Sequence, residues 1–305
     1  MSKTALVTGG HGFIGRHVAR HLAEHGWQVT GIGHGAWEKQ EWMRWGFTAW
    51  YTAEITPDTL RAHSGQPDAI FHCVGSQAVG FSLAHPHTDF QSTVATTALT
   101  LEFARLYVPA ARVVYLSSAA VYGNVDHIPI TESSPLRPVS PYGLHKKMAE
   151  ELCRSYSCRF GVATVVVRLF SIYGPGLRKQ LFWDGCKKIS CQDLSFSGNG
   201  QETRDWLHVQ DAVALLVEAY RHASTNSPAI NGGTGVGVTV QEVITELYKA
   251  FRIASAPKFS GLTRPGDPAH YVADPTFAQR LGWWPKIKWY DGVHEYVEWF
   301  RKGGA

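Results

Sequence analysis

The 305-residue sequence predicts an α/β fold in which helices cover a parallel β-sheet. Short apolar runs alternate with longer segments of helical periodicity along the first 170 residues. Strands that are buried on both faces of a sheet read as such runs, because neither face meets water. This alternation is typical of a doubly wound, Rossmann-type sheet. We predict strands at residues 4–8, 28–32, 69–74, 112–117 and 162–169, with helices at 13–26, 93–107 and 142–160.

The first predicted strand ends in a glycine-rich turn, TGGHGFIG, of the kind that binds a dinucleotide. A tight turn needs a residue that accepts positive φ, and a pyrophosphate needs backbone N–H groups that no Cβ obstructs. A helix that packs closely on a strand needs a missing side chain. Gly9, Gly12 and Gly15 meet these needs in that order. The helix that follows would direct its N-terminal N–H groups at the dinucleotide.

The second predicted strand leaves the choice between NAD and NADP open. A Rossmann strand that selects NAD typically ends in an acidic residue, which binds the ribose 2′-hydroxyl. Here residues 31–35 read GIGHG, so no carboxylate would repel a 2′-phosphate. His34 is near neutral at pH 7 and Lys39 lies further along, so the cation of a strict NADP site is also weak. We predict NAD, with NADP as the alternative.

The fourth predicted strand and the helix at PYGLHKKMAEEL supply a set of catalytic residue types. Ser118 follows the strand, and catalytic groups gather at the carboxyl ends of parallel strands. Tyr142 and Lys146 lie four residues apart and therefore share one helix face. A phenol with a pKa near ~10 is a poor base at neutral pH, so the Lys146 ammonium and an oxidised nicotinamide would favour the phenolate. Ser118 would then hold a substrate oxygen while Tyr142 exchanges its proton.

These motifs resemble those of the extended short-chain dehydrogenases/reductases of the NAD-dependent epimerase/dehydratase family, which act on nucleotide-diphosphate sugars. The segments SSAAVYG, RLFSIYGPG, GNGQETRDWLHVQDAV and RPGDPAHYVADPTFAQRLGW extend the resemblance over nearly the whole chain. The resemblance implies that Ser118, Tyr142 and Lys146 are the catalytic set. It also implies that Arg204 and Arg264 bind the substrate diphosphate, and a bidentate guanidinium suits a phosphate well.

The resemblance further implies which residues contact the cofactor and the substrate. The expected cofactor contacts are Gly9, Gly12, Phe13, Ile14, Gly15, Gly33, His34, Glu54, Ile55, Val74, Gly75, Tyr142 and Lys146. The expected substrate contacts are Ser118, Ser171, Arg204 and Arg264. We predict no metal site, because the histidines lack a carboxylate cluster at ligand spacing.

Departures from the family pattern guide the choice of reaction. Family dehydratases carry an acidic residue shortly after the catalytic hydroxyl, whereas Ala119 and Ala120 stand there in this chain, so 4,6-dehydration is not expected. Ser171 and Thr93 stand where the family commonly has asparagines. The leading hypothesis is a nucleotide-sugar epimerase, acting at C4 through a transient keto sugar. The alternative is an NADPH-dependent 4-ketoreductase. A non-catalytic dinucleotide-binding regulator is a third hypothesis, against which the intact Ser118, Tyr142 and Lys146 argue.

The chain length suits a Rossmann domain with a smaller substrate-binding lobe towards the C-terminus. We predict the Rossmann domain at residues 1–170 and about 207–253, and the lobe at about 171–206 and 254–305. The net charge of +4 is scattered, so nucleic acid is not an expected partner. No segment reaches the ~20 apolar residues of a membrane span, and an odd number of cysteines indicates reduced thiols. We therefore expect a cytoplasmic protein that does not bind membranes.

The resemblance implies a homodimer, because members of this family commonly pair two helices with their symmetry mates. In this chain these are the helices at 93–107 and 142–160, which carry more apolar surface than one face against a sheet requires. The expected interface residues are Ala98, Leu101, Leu106, Val108, Met148, Leu152, Cys153 and Tyr156.

Overall fold

The computed structural model describes residues 2–75, 79–261 and 270–304. Its strands are β1 (Thr4–Thr8), β2 (Gln28–Gly33), β3 (Ala49–Thr52), β4 (Ala69–His72), β5 (Arg112–Ser118), β6 (Thr164–Leu169), β7 (Ser171–Tyr173), β8 (Ser195–Phe196), β9 (Thr203–His208), β10 (Ala229–Gly232), β11 (Gly237–Thr239), β12 (Lys258–Phe259) and β13 (His270–Tyr271). Its α-helices are α1 (Phe13–Glu24), α2 (Pro57–His63), α3 (Val79–Ala84), α4 (Pro86–Phe90), α5 (Thr96–Tyr107), α6 (Pro141–Phe160), α7 (Gln180–Ser190), α8 (Val209–Tyr220), α9 (Val240–Ala250), α10 (Thr276–Arg280) and α11 (Trp289–Trp299). Short 3₁₀ segments lie at Glu38–Trp45 and Ala119–Val121, and π-helical turns lie at Gln91–Ala95 and Phe300–Gly304.

Seven parallel strands form the main sheet in the order β10-β6-β5-β4-β1-β2-β3. The strand order reverses between β1 and β4, which opens a crevice at the carboxyl ends of these two strands. The predicted doubly wound parallel sheet is confirmed, and each of the five predicted strands is present with small changes at its ends. The sequence prediction omitted β3 and β10, which lie at the two edges of the sheet.

Helices cover both faces of the main sheet because each strand alternates its side chains between two apolar cores. In β1, Ala5 and Val7 face the core formed with α1 and α8, whereas Leu6 faces the core formed with α2, α5 and α6. All three side chains are at most 2% exposed. This layering holds α6 against the sheet, so the position of its polar residues is set by the core beneath it.

A second set of elements lies beyond β6. Strands β11, β9 and β13 form a smaller sheet, to which β7 adds by pairing with β9. An aromatic core with Tyr173, Phe182 and Trp206 joins this sheet to α7, α9 and α11. Helix α9 therefore packs with the second core, whereas the prediction placed residues up to about 253 with the Rossmann domain. The division into two domains stays a prediction.

Three further features concern membrane-spanning helices, disulfide bonds and groups of metal ligands. No helix in the described part of the chain is long and apolar enough to cross a bilayer. All five cysteines are free thiols. Within the same ranges, no three histidine, cysteine or acidic side chains gather as a metal site would require. The cytoplasmic location stays a prediction.

Candidate active site

The glycine-rich turn forms a cradle at the carboxyl end of β1. Gly9 has φ +71°, and a Cβ there would lie 2.9 Å from the backbone nitrogen of Val74. A Cβ at Gly15 would lie 2.5 Å from the Gly9 oxygen, so this glycine lets α1 approach the turn. Gly12 precedes α1 and contributes no side-chain cap to its first turn. The N–H groups of that turn are thus available to an anion, as a dinucleotide pyrophosphate requires.

The adenosine end of the expected cofactor site lies where β2 ends. Gly33 is buried and His34 is exposed. The His11 ring occupies the space beside Gly35, where a Cβ would lie 1.8 Å from its Cγ, and packs edge-on against Trp37 at 4.5 Å. The Arg16 guanidinium lies over Trp37 and donates to the His11 oxygen. The end of β2 carries no carboxylate, as the sequence indicated.

The remaining expected cofactor residues lie at the start of α1 and after strands β3 and β4. Phe13 and Ile14 open α1 and pack against the core, and Glu54 and the buried Ile55 follow β3. Val74 and Gly75 follow β4, and a Cβ on Gly75 would lie 3.1 Å from the Lys146 Nζ. The fold therefore brings the cofactor cradle and the Tyr142–Lys146 helix to the same edge of the sheet.

Helix α6 begins with a cap that orients Tyr142 and Lys146, the residues predicted to be catalytic. Ser140 accepts a hydrogen bond from the Gly143 N–H at 3.2 Å, and Pro141 occupies the first helical position. The next residue, Tyr142, donates its backbone N–H to the Ser82 Oγ of α3 at 3.0 Å. Tyr142 and Lys146 consequently project from one face of a helix that is anchored at its first turn.

Ser118 and Tyr142 share a hydrogen bond, and Lys146 lies one helical turn from Tyr142 on α6. Ser118 ends β5, and Lys146 is only 5% exposed, its Nζ donating to the Leu116 oxygen at 2.7 Å. Burial raises the pKa of Tyr142, and the hydrogen bond with the Ser118 hydroxyl opposes this rise. Burial lowers the pKa of Lys146 to about 8, and the negative charge of Asp89 opposes this fall. Lys146 is therefore a cation near its titration point at neutral pH.

The buried His72 side chain, near Lys146, is polar but uncharged. His72 ends β4, and its ring nitrogens lie 2.8 Å from the Thr8 Oγ1 and 3.2 Å from the Thr97 Oγ1. Burial first and the Lys146 charge second lower the pKa of His72 to about 3. The His72 imidazole is thus uncharged at neutral pH and adds no positive charge near Lys146.

A buried pair that sequence reasoning missed borders the site. Asp89 of α4 accepts a hydrogen bond from the His145 Nδ1, and His145 stands between Tyr142 and Lys146 on α6. The negative charge of Asp89 raises the pKa of both Tyr142 and Lys146. A histidine inside the Tyr-x-x-x-Lys segment was the signal that could have pointed to this pair, but its partner lies 56 residues away along the chain.

Of the residues expected to contact the substrate, Ser171 and Arg204 lie on the neighbouring strands β7 and β9. Ser171 begins β7, which pairs with β9 in a register that aligns Ser171 with Trp206, two residues from Arg204. Arg204 is half-buried and donates to the Thr203 oxygen at 3.0 Å. Arg264 lies outside the described residues. Ala119 and Ala120 form the 3₁₀ segment after Ser118, so no ionisable side chain occupies those positions.

The sequence model of the NAD dependent epimerase/dehydratase family matches residues 5–233. A UDP-glucose 4-epimerase of Azospirillum brasilense is 31% identical over 96% of this chain and 90% of its own length. A UDP-glucose 4-epimerase of Streptomyces lividans is 29% identical over 93% of this chain and 92% of its own length.

Solved structures agree with these relatives. The UDP-glucose 4-epimerase of Thermotoga maritima, crystallised with UDP-glucose, superposes with a TM-score of 0.89 at 27% identity and covers 98% of this chain and 99% of its own. The UDP-glucose 4-epimerase of Thermus thermophilus, in complex with NAD, superposes with a TM-score of 0.87 at 26% identity, with coverages of 98% and 99%.

Proposed function

The chain belongs to the NAD-dependent epimerase/dehydratase family, and from this premise we propose that it is a nucleotide-sugar 4-epimerase that uses bound NAD. The observation that carries the proposal is the position of Ser118, Tyr142 and Lys146 at the sheet edge that also holds the glycine cradle. The two 4-epimerase relatives, which match 96% and 93% of the chain, support it. The reductase hypothesis receives no support from these relatives. Dehydratase activity is also not expected, because Ala119 and Ala120 stand where family dehydratases carry an acidic residue.

The residues of the chain have defined tasks in this reaction. Gly9, Gly12 and Gly15 would hold the cofactor pyrophosphate, and bound NAD would supply reversible hydride acceptance at the sugar carbon. Ser118 would hold the C4 oxygen while Tyr142, as phenolate, takes the hydroxyl proton. Lys146 would favour the phenolate by its positive charge. In the second half, Tyr142 would return the proton to the C4 oxygen after the keto sugar has turned its other face to the cofactor.

Two measurements on the purified protein test this function. Nucleotide released by denaturation should have the mass of NAD, and UDP-glucose incubated without added cofactor should convert to its C4 epimer, as followed by NMR. Epimerisation without added cofactor is expected because the cofactor is regenerated in every cycle. Stoichiometric consumption of added NADPH with a nucleotide keto sugar, and no epimer, would instead establish the reductase.

We further propose that Arg204 and Arg264 bind the substrate diphosphate. Loss of a charge-assisted hydrogen bond costs on the order of 1.5–3 kcal/mol, so Arg204→Ala should raise the Kd for UDP-sugar at least about tenfold. The matched control is Arg221→Ala directly after α8, which removes an exposed arginine paired with Glu218. Calorimetry that finds the same UDP-sugar affinity in Arg204→Ala and Arg221→Ala would remove Arg204 from the substrate site.

A homodimer through α5 and α6 is also proposed. Leu106, Met148 and Phe160 are 50%, 38% and 52% exposed on these helices, and a two-fold interface would bury the same patch on both subunits. Three residues expected at the interface, Leu101, Val108 and Cys153, instead lie in the core of the single chain. Their contribution to an interface was wrongly predicted, because both helices also bury a face against the sheet.

Light scattering at micromolar concentration tests the dimer. A mass near twice 33.7 kDa is expected, and Leu106→Glu should shift the protein towards the mass of one chain. Trp284→Glu is the control, since Trp284 is an exposed apolar side chain outside both helices. A single-chain mass for the unmodified, active protein would exclude the dimer.

A further inference from the structure

Asp89 and His145 form a buried pair of ionisable side chains at the junction of α4 and α6. Asp89 is 0% exposed and His145 is 8% exposed. The Asp89 Oδ2 receives the hydrogen bond from the His145 Nδ1, whereas Oδ1 is buried without a hydrogen-bond partner among the described residues. Phe90 packs edge-on against the His145 ring at 5.5 Å and fixes its orientation. A carboxylate so placed is costly unless nearby cations stabilise it.

Lys146 is a buried ammonium whose positive charge has no directly bound counter-charge among the described residues. Its Nζ donates to a neutral oxygen, that of Leu116, and in the described part of the chain it forms no ion pair within 4.0 Å. The ionisable groups that act on it electrostatically come from several elements: His72, Cys73, Asp89, Glu150 and Cys153, with the Tyr115 ring 5.2 Å away.

Among these groups, Asp89 is the anion whose charge is not matched by an arginine. Burial raises the pKa of both Cys73 and Cys153, so their thiols are neutral near pH 7. Glu150 is bound at 2.8 Å by the Arg168 guanidinium, which compensates its charge. Among the residues that the structure describes, the side-chain partner of Asp89 is the imidazole of His145. The local charge beside Lys146 therefore depends on the Asp89–His145 pair.

We propose that Asp89 and His145 are positioning residues of the active site, which dock α6 on α4 and place a buried negative charge beside Tyr142 and Lys146. This inference rests on the proposed function for the identity of Tyr142 and Lys146 as the proton-transfer residues. The pair acts on the reaction through these two residues. A negative charge nearby stabilises the ammonium of Lys146 and disfavours the phenolate of Tyr142, so it sets the pH range over which both have the required form.

Asp89→Asn removes the negative charge of residue 89 but keeps its hydrogen bond, because the amide oxygen can still accept from the His145 Nδ1. Removal of the negative charge makes both Tyr142 and Lys146 lose their protons more readily. We expect the whole pH–kcat profile of epimerisation to move to lower pH by about 1 pH unit. In the cofactor-bound protein, an NMR titration of isotope-labelled Lys146, assigned with Lys146→Arg, should show its midpoint falling in the same direction.

His145→Gln is the second variant, and it removes the imidazole while leaving the Asp89 charge. Its Lys146 midpoint should stay in place or rise, so the two variants differ in direction. Glu218→Gln is the control, since Glu218 lies near the end of α8, far along the chain from α4 and α6, and pairs at 3.4 Å with His222, which follows that helix. A folded Asp89→Asn protein whose Lys146 titrates as in the unmodified protein, or a His145→Gln midpoint that falls, would overturn the proposal. The NMR titration does not need turnover, so absence of epimerase activity would count against the proposed function alone.

Discussion

Helix α6 contributes residues to two buried charged clusters, which differ in how completely their polar atoms are hydrogen-bonded. The arginine cluster consists of Arg168, Glu150, Ser117 and Tyr122. In it Arg168 donates to Glu150 at 2.8 Å and to the Tyr122 hydroxyl at 2.9 Å, and Glu150 also accepts from Ser117. Burial alone would lower the pKa of Arg168, but the hydrogen bonds and the charge of Glu150 raise it.

The lysine cluster consists of Lys146, Tyr142, Asp89 and His145, and lies one turn away on the same helix. Its cation makes one hydrogen bond to a backbone oxygen, and burial lowers its pKa to about 8. A fully satisfied ion pair holds its charge permanently and joins elements. An incompletely satisfied cation is costly to the fold, but its charge is available to a neighbouring phenol. The comparison therefore indicates a stabilising role for the arginine cluster and supports the proposed catalytic role of the lysine cluster.

Matched Tyr→Phe variants give the strongest test of this assignment. Tyr142→Phe should lower kcat by ~10²–10⁴-fold, because general acid–base assistance is lost, while cofactor binding is retained. Tyr122→Phe removes a hydroxyl that donates to Asn231 at 2.7 Å and accepts from Arg168, so it should cost about 1–3 kcal/mol of stability. Its kcat should stay within a few fold. Near-normal turnover in a folded Tyr142→Phe enzyme would refute the catalytic assignment.

Breaking the ion pair of the arginine cluster should destabilise the fold. Glu150→Gln leaves the Arg168 cation buried without a counter-charge, which typically costs about 3–5 kcal/mol. Urea unfolding measures this loss, and Glu151→Gln, an exposed neighbour paired with Arg154, should change stability by less than about 0.5 kcal/mol. The double variant Glu150→Gln with Arg168→Met should recover part of the loss. If Glu150→Gln and Glu151→Gln unfold alike, the arginine cluster is not a stabilising pair.

Much of this arrangement could be predicted from the sequence, because local patterns encode it. The turn glycines, the strand that ends in Ser118 and the four-residue spacing of Tyr142 and Lys146 each have a local signal, and the structure brings them together. The edge strands β3 and β10 lack such a signal, since each has only four residues and its place depends on pairing with a neighbour.

Long-range pairs had no comparable signal. The distance of 56 residues between Asp89 and His145 is closed only when α4 docks on α6. Arg168 was noted as part of a motif, but its buried partner Glu150 follows from the packing of α6 on β6. The buried positions of Leu101 and Cys153 likewise depend on which helix face meets the sheet.

Lys146→Met should reveal the cost of the catalytic cation by stabilising the fold while it removes activity. The pKa of Lys146 is lowered from 10.5 to about 8, so the folded state carries the full cost of the charge below pH 8, and this cost disappears as pH rises towards 10.5. That pKa difference corresponds to a destabilisation of about 3 kcal/mol, which Lys146→Met removes. The variant also loses the hydrogen bond to the Leu116 oxygen, which lowers its free energy of unfolding by about 1–2 kcal/mol. We therefore expect a net gain of about 1–2 kcal/mol at pH 7, measured by urea unfolding.

The pH trend distinguishes this gain from a packing effect. The stability advantage of Lys146→Met over the unmodified protein should shrink between pH 8 and 10.5, because the unmodified fold is relieved of its buried charge over that range. Lys249→Met on α9 is the control, since this lysine is 65% exposed and should show no such trend. A Lys146→Met protein that is less stable than the unmodified one at every pH would place Lys146 with Arg168 among the structural cations, and the contrast between the two clusters would no longer hold.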